Sequence, residues 1–204
     1  EVVTQIEKKA NKEKNNVQQI KARVISLQLN LQKDPDQLPA QLAGMEALRT
    51  KTQDVASKAL LQSMTAEVYL IYYQRNAYKI NQRTDIVGQI PNDPTQWTKR
   101  IFTDTICSLL TLSLQPAERL QATPIATYKE LLTEGNTATL EPTLFDMLSR
   151  RRVALLKSLR NAQNDYQFNS DLVPLMCPAE QFIALQLNAA GLSVVETSMK
   201  QTLQ

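Results

Sequence analysis

Apolar positions along this chain recur at steps of three and four, the period of one face of an α-helix. From Val2 to about Lys14, Val3, Ile6 and Ala10 form one stripe on an otherwise charged segment, and Asn15-Asn16 interrupts it. Val17, Ile20, Val24, Leu27 and Leu31 continue the period as far as Gln32. The two segments read as a helical hairpin of about 33 residues, the size of a tetratricopeptide-type unit. Lys33-Asp34-Pro35-Asp36 breaks the pattern. Pro35 disfavours helix at Asp34, and Asp36 is expected to cap a third helix that tolerates Pro39 in its first turn. That helix carries Leu38, Leu42, Met45 and Leu48, and the polar stretch Thr50 to Asp54 ends it or kinks it.

Asp54 is the expected cap of a fourth helix reaching roughly Tyr78. Its apolar residues, Ala56, Leu60, Leu61, Met64, Val68, Leu70 and Ile71, point in several directions. A helix apolar on most sides is packed on most sides, which places this one at the centre. Its C-terminal half holds Tyr69, Tyr72, Tyr73 and Tyr78, four of the six tyrosines. Core packing with hydroxyls at the rim is the plain reading, and a ligand-stacking platform the sharper one.

Asp85 to Asn92 reads as a connector. Asp93-Pro94 is expected to start a fifth helix, with Trp97, Ile101, Ile106, Leu109 and Leu112 along it and Pro116 ending it. A shorter helix is expected over Ile125 to Thr133, stopped by Glu134-Gly135-Asn136. Pro142 opens another, with Leu144, Leu148, Leu155 and Leu159 inward. Asn161 to Asp171 is polar, and Pro174 and Pro178 form a second break. Glu180 to Leu187 is a short apolar run, read as helix on context, and a last helix is expected from Ser193 to Leu203. The expected fold is all-α, with about seven or eight helices in stacked antiparallel hairpins, tetratricopeptide-like or as an irregular bundle, and little or no strand. The expected division is a helical-hairpin domain over 1–160, an irregular connector packed on it over 161–190, and over 191–204 the start of a helix leading into a longer parent chain.

Composition sharpens this. The 204 residues include only 4 Gly and 5% aromatics, which favours helices over Gly-dependent turns. The chain has no His, which excludes Ser-His-Asp and Cys-His nucleophile pairs and any His-ligated metal. Cys107 and Cys177 cannot build a structural zinc or iron–sulfur site alone, so no metal or cofactor is expected. No Gly-rich phosphate loop can be drawn. The net charge of +3 is mild. The one dense basic cluster, Arg150-Arg151-Arg152, reads as a solvated helix face and not as a nucleic-acid patch. The chain opens at Glu1 without an apolar leader, as expected of a processed protein or an excised piece. Carboxylates remain: Glu67, Asp104 and Asp146 sit among apolar residues and each needs a partner. Arg75, Arg83 and the Arg150 cluster are the candidate partners, with no pairing assigned by the sequence, and ion pairs or caps outweigh catalysis, so no enzyme is expected.

Two stretches carry a family pattern. One runs from Ala66 to Thr84, and Tyr72, Tyr73, Asn76, Gln82, Arg83 and Thr84 match a tyrosine-rich helix ending in an N-R-Y-x-x-x-Q-R-T-like phrase. The other spans Leu131 to Asn136 and Leu140 to Leu148. In it, Pro142, Thr143, Leu144, Asp146 and Leu148 match an R-P-T-L-Y-D-F-L phrase. Both resemble the N-terminal helical region of large, envelope-associated bacterial alpha-2-macroglobulin-like proteins. Trp97, Lys8-Lys9-Ala10 and Lys21-Ala22 follow the same layout. Glu141 departs from the usual arginine, Phe145 from a tyrosine and Met147 from a phenylalanine, and Ser149 to Arg152 replaces a segment often holding His and Ala.

The resemblance implies a non-catalytic scaffold or interaction domain of a protease-trapping protein, located in the cell envelope or secreted. Its implied partners are the rest of its own chain and a protein partner or target protease, with any membrane anchor outside this segment and no nucleic acid. The family's thioester is not expected here. Cys107 is followed by Ser-Leu-Leu-Thr and Cys177 by Pro-Ala-Glu-Gln, with Gln181 at the fourth position after the cysteine, in a region the resemblance places far upstream of the thioester domain. The alternatives are a stand-alone helical-repeat adaptor binding a peptide near the tyrosine helix, and a His-free enzyme using buried carboxylates.

Overall fold

A computed structural model describes residues 2–85, 88, 90–132, 141–163 and 198. Among these, seven α-helices and no strand are present, so the all-α expectation holds. Helix α1 (Val2–Lys12) and α2 (Asn16–Lys33) form the first hairpin. Their joint is set by Lys14 in the left-handed region (φ 53°) and by Asn15, whose side chain accepts the Gln18 N–H at 3.1 Å. The helix therefore stops at Lys12 and not at Lys14, and Asn15 serves as the cap of the next one.

At the second break, Asp34 does the capping in place of Asp36. It accepts the Asp36 N–H at 3.0 Å and closes a 3-10 turn, Pro35–Gln37, from which α3 (Leu38–Lys51) continues without a side-chain cap of its own. Asp54 caps α4 (Val55–Asn81) as expected, accepting the Ser57 N–H at 2.8 Å. At 27 residues α4 is about 40 Å long. It packs against α3, α5 and α7, and also touches α2 and α6, which makes it the central helix. Leu60, Leu61, Ala66, Leu70, Tyr73 and Ile80 are all buried along it.

Two helix starts differ from the sequence reading. Asp93 caps only a 3-10 turn, Pro94–Gln96, and α5 (Lys99–Leu112) begins after it, capped by Thr98. The interruption belongs to Trp97, whose backbone is extended (φ −68°, ψ 148°) so that its ring enters the core and its indole N–H reaches the Pro91 carbonyl at 2.6 Å. Pro116 follows a cis peptide bond and precedes a short helix, α6 (Ala117–Gln121), that the apolar pattern did not signal. The helix expected over Ile125 to Thr133 is a 3-10 turn, Ile125–Tyr128, followed by turns. Its start is tied to another segment: Ile125 N–H donates to the Pro142 carbonyl at 3.0 Å, and Pro124 pairs with Thr143. Helix α7 (Leu144–Ala162) then packs on α4, α5 and α6. Residues 133–140, with the expected Glu134-Gly135-Asn136 stop, lie outside the described residues. So do the runs expected over 180–187 and 193–203, except Ser198, which is helical, and so does Cys177.

Candidate functional site

The tyrosine-rich end of α4 meets Trp97 and Phe102 in one aromatic cluster. Tyr69 stacks on Trp97 with ring centroids 5.2 Å apart, and Tyr72 stacks on Phe102 at 5.7 Å. Phe102 also lies 5.8 Å from Tyr73 and 5.3 Å from Trp97, the latter edge-on. Offset and edge contacts of this kind add stability beyond the burial itself. The hydroxyls end on named partners. Tyr73, fully buried, donates to Asn81 Oδ1 at 2.5 Å. Tyr69 donates to Glu46 Oε1 at 3.3 Å, while Arg49 pairs with Glu46 from one turn along α3. Burial first, and then the Glu46 carboxylate, pushes the Tyr69 phenol up from its ordinary value. Burial also raises Tyr72, against the lowering effect of Arg83.

Of the remaining residues of the first phrase, Arg83 closes this joint. Asn76 donates to the Tyr72 carbonyl at 3.0 Å, and Arg83 donates to the Trp97 carbonyl at 2.6 Å. Gln82 is the C-cap of α4, and Gln82 and Thr84 are exposed. Three of the four tyrosines thus belong to the packed cluster, whereas Tyr78 stands 78% exposed.

The second phrase builds the start of α7. Thr143 and Asp146 form a reciprocal capping box: Asp146 N–H donates to Thr143 Oγ1 at 3.3 Å, and Thr143 N–H donates to Asp146 Oδ2 at 3.1 Å. The Pro142 carbonyl accepts from Ile125, and Leu144 N–H donates to the Thr123 carbonyl at 2.9 Å. Leu144 and Leu148 are fully buried. Glu141, the departure from the family arginine, pairs with Arg150. The two phrases lie on the neighbouring helices α4 and α7.

The acidic candidates are accounted for by caps and pairs. Asp146 is the cap; Asp104 pairs with Arg100 at 3.7 Å on the surface; Glu67 pairs with Arg151, which also donates to Ser63 Oγ at 3.2 Å. The arginine run is not the solvated face expected of it. Arg150 goes to Glu141 and Arg151 to Glu67, while Arg152 is 4% exposed and lies inside. Cys107 is buried and unpaired, and desolvation pushes its thiol up to about 11. No group of three metal-ligating side chains occurs among the described residues, and no described helix is long and apolar enough to cross a membrane.

One feature escaped the sequence reading. A half-open cavity of about 250 Å³ lies where α2 and α4 begin, lined by Asn16, Val17, Asp54, Ser57, Arg119 and Tyr128 among others. On it, Ser57 Oγ and Tyr128 Oη lie 3.1 Å apart, and Tyr128 donates to Asp54 Oδ2 at 3.4 Å. Ser57 and Tyr128 are 71 residues apart in the chain, and no local pattern links them. Comparison with protein-family models, with curated proteins and with solved structures returns no match for this chain.

Proposed function

We propose that this chain is a non-catalytic helical scaffold and interaction domain from the N-terminal part of an alpha-2-macroglobulin-like protease-trapping protein of the cell envelope. The observation that carries the reading is the use made of the two phrases. Arg83 ties the end of α4 to the Trp97 carbonyl, Tyr72 and Tyr73 pack on Phe102, and Thr143 with Asp146 starts α7. A phrase spent on joints specifies an architecture, and a shared architecture is what a leader domain would keep when its chemistry lies elsewhere. The adaptor reading rests on Tyr78, which keeps its ring in solvent beside the packed cluster.

The test is a comparison of two products. The 204-residue chain, mixed with serine, cysteine and metallo endopeptidases, is expected to leave digestion of a protein substrate unchanged. The product of the complete reading frame containing it is expected to slow that digestion and to be cleaved once in the process. Stoichiometric inhibition or hydrolysis by the 204-residue chain would overturn the reading, as would a complete product that never affects a protease.

A further inference from the structure

Arg152 sits in the middle of α7 on the same stripe as Leu148, Leu155 and Leu159, and is as buried as they are. No carboxylate among the described residues pairs with it. Its Nη2 instead donates to three neutral oxygens: Thr111 Oγ1 at 3.3 Å, the Ser198 carbonyl at 3.0 Å and Ser198 Oγ at 2.8 Å. Its Nε finds no acceptor. A guanidinium taken out of water without an acid is costly, and every neutral acceptor it keeps offsets part of that cost. Two of its three acceptors belong to one residue, which lies 46 positions further along the chain. Thr111 stands one turn after Cys107 on α5, and the Cys107 thiol feels both the Arg152 charge and a hydrogen bond with Ser198.

We propose that Arg152 is an interior anchor, a positioning residue that fastens the chain at Ser198 onto the α5–α7 seam and thereby shields Cys107 from solvent. The inference stands apart from the protease-trap reading, since it uses only contacts within this chain. Both Ser198 bonds leave one nitrogen, Nη2, at the tip of a guanidinium that reaches one bond further than a lysine ammonium and is more weakly hydrated, so a lysine in this seat meets Ser198 less well. An apolar residue in the same seat would fill the stripe but hold nothing.

The experiment measures thiol labelling of Cys107 under native conditions in the full 204-residue chain, in a Cys177→Ser background so that one thiol reports. Arg152→Met is expected to raise the labelling rate roughly tenfold or more with the helical circular dichroism retained. Ser198→Ala, which removes one acceptor and leaves the carbonyl, is expected to raise it less. Arg152→Lys is expected to resemble Arg152→Met and not the native chain. A labelling rate unchanged in both Arg152→Met and Ser198→Ala overturns the anchor, as does full rescue by lysine. Should Arg152→Met fail to fold, Ser198→Ala and Arg152→Lys decide the question alone.

Discussion

Gly44 lies in the interior of α3, where glycine weakens a helix by about 1 kcal/mol relative to alanine. An exposed helical glycine would therefore be improved by Gly44→Ala. Here the opposite outcome is expected, because the space belongs to Arg23 of α2. A Cβ at position 44 would fall 1.8 Å from Arg23 Nη2 and 2.3 Å from its Cζ. That Nη2 donates to the Gln41 carbonyl at 2.8 Å, tying the first hairpin to α3. Burial pushes the Arg23 guanidinium below its ordinary value, so the group is already partly desolvated. The guanidinium is the end of a flexible side chain and can swing away, at the cost of this hydrogen bond, worth about 1.5–3 kcal/mol for a charged donor. Set against the helix gain, Gly44→Ala should destabilise the native chain by roughly 0.5–2 kcal/mol. In an Arg23→Ala background the obstacle is gone, and the same change should stabilise by about 1 kcal/mol. Urea unfolding followed by circular dichroism gives all four corners of the cycle. Gly44→Ala that stabilises both backgrounds equally would show that Arg23 does not occupy the seat assigned to it.

Thr143→Ala removes the capping box of α7 and should cost about 0.5–2 kcal/mol in the same urea assay; a change below a few tenths would place the α7 start elsewhere. Leu70→Ala should cost about 2–5 kcal/mol, and Ile71→Ala, on the half-buried side of α4, should cost less; the reverse order would mean that α4 is rotated. Alkaline pH should weaken the fold. Tyr69 and Cys107 titrate above their ordinary 10.0 and 9.0 in the folded chain, the thiol at about 11. Their contribution is whole below the unfolded values and is lost as pH rises from about 9 through the folded ones. The denaturation midpoint should fall between pH 9 and pH 11, both approximate bounds, and Cys107→Ser should flatten the early part of that fall.

The helices were legible because a period of three and four survives any detail of packing. Asp54 and Thr143 stand directly before apolar runs, and each caps the helix expected after it or around it. Starts went astray where a tertiary demand overrode the local signal. Asp93-Pro94 has the form of a helix start, yet Trp97 has to leave the helical path to reach Tyr69 and Phe102. Ile125 is pinned by its N–H to Pro142 and Tyr128 is drawn to Ser57, and between them only a 3-10 turn forms. The cavity was illegible for a related reason: Ser57 and Tyr128 become neighbours only after α4 and the segment following α6 are in place.

The arginine run shows the reverse case, a signal present in the sequence and passed over. Consecutive helical residues point about 100° apart, so three in a row sweep roughly 200° and cannot share one solvated face. The inward leucines fix which of the three is internal. Stepping from Leu144 to Leu148 and from Leu155 to Leu159, the stripe needs a member between Leu148 and Leu155, and Arg152 lies four after the first and three before the second. That leaves Arg151 toward α4, where it meets Glu67, and Arg150 toward the entrance of the helix, where it meets Glu141. What periodicity alone could not supply is the partner of the internal one. Burial at a stripe position says that a guanidinium has to be met by something; only the fold brings Thr111 and Ser198 to it.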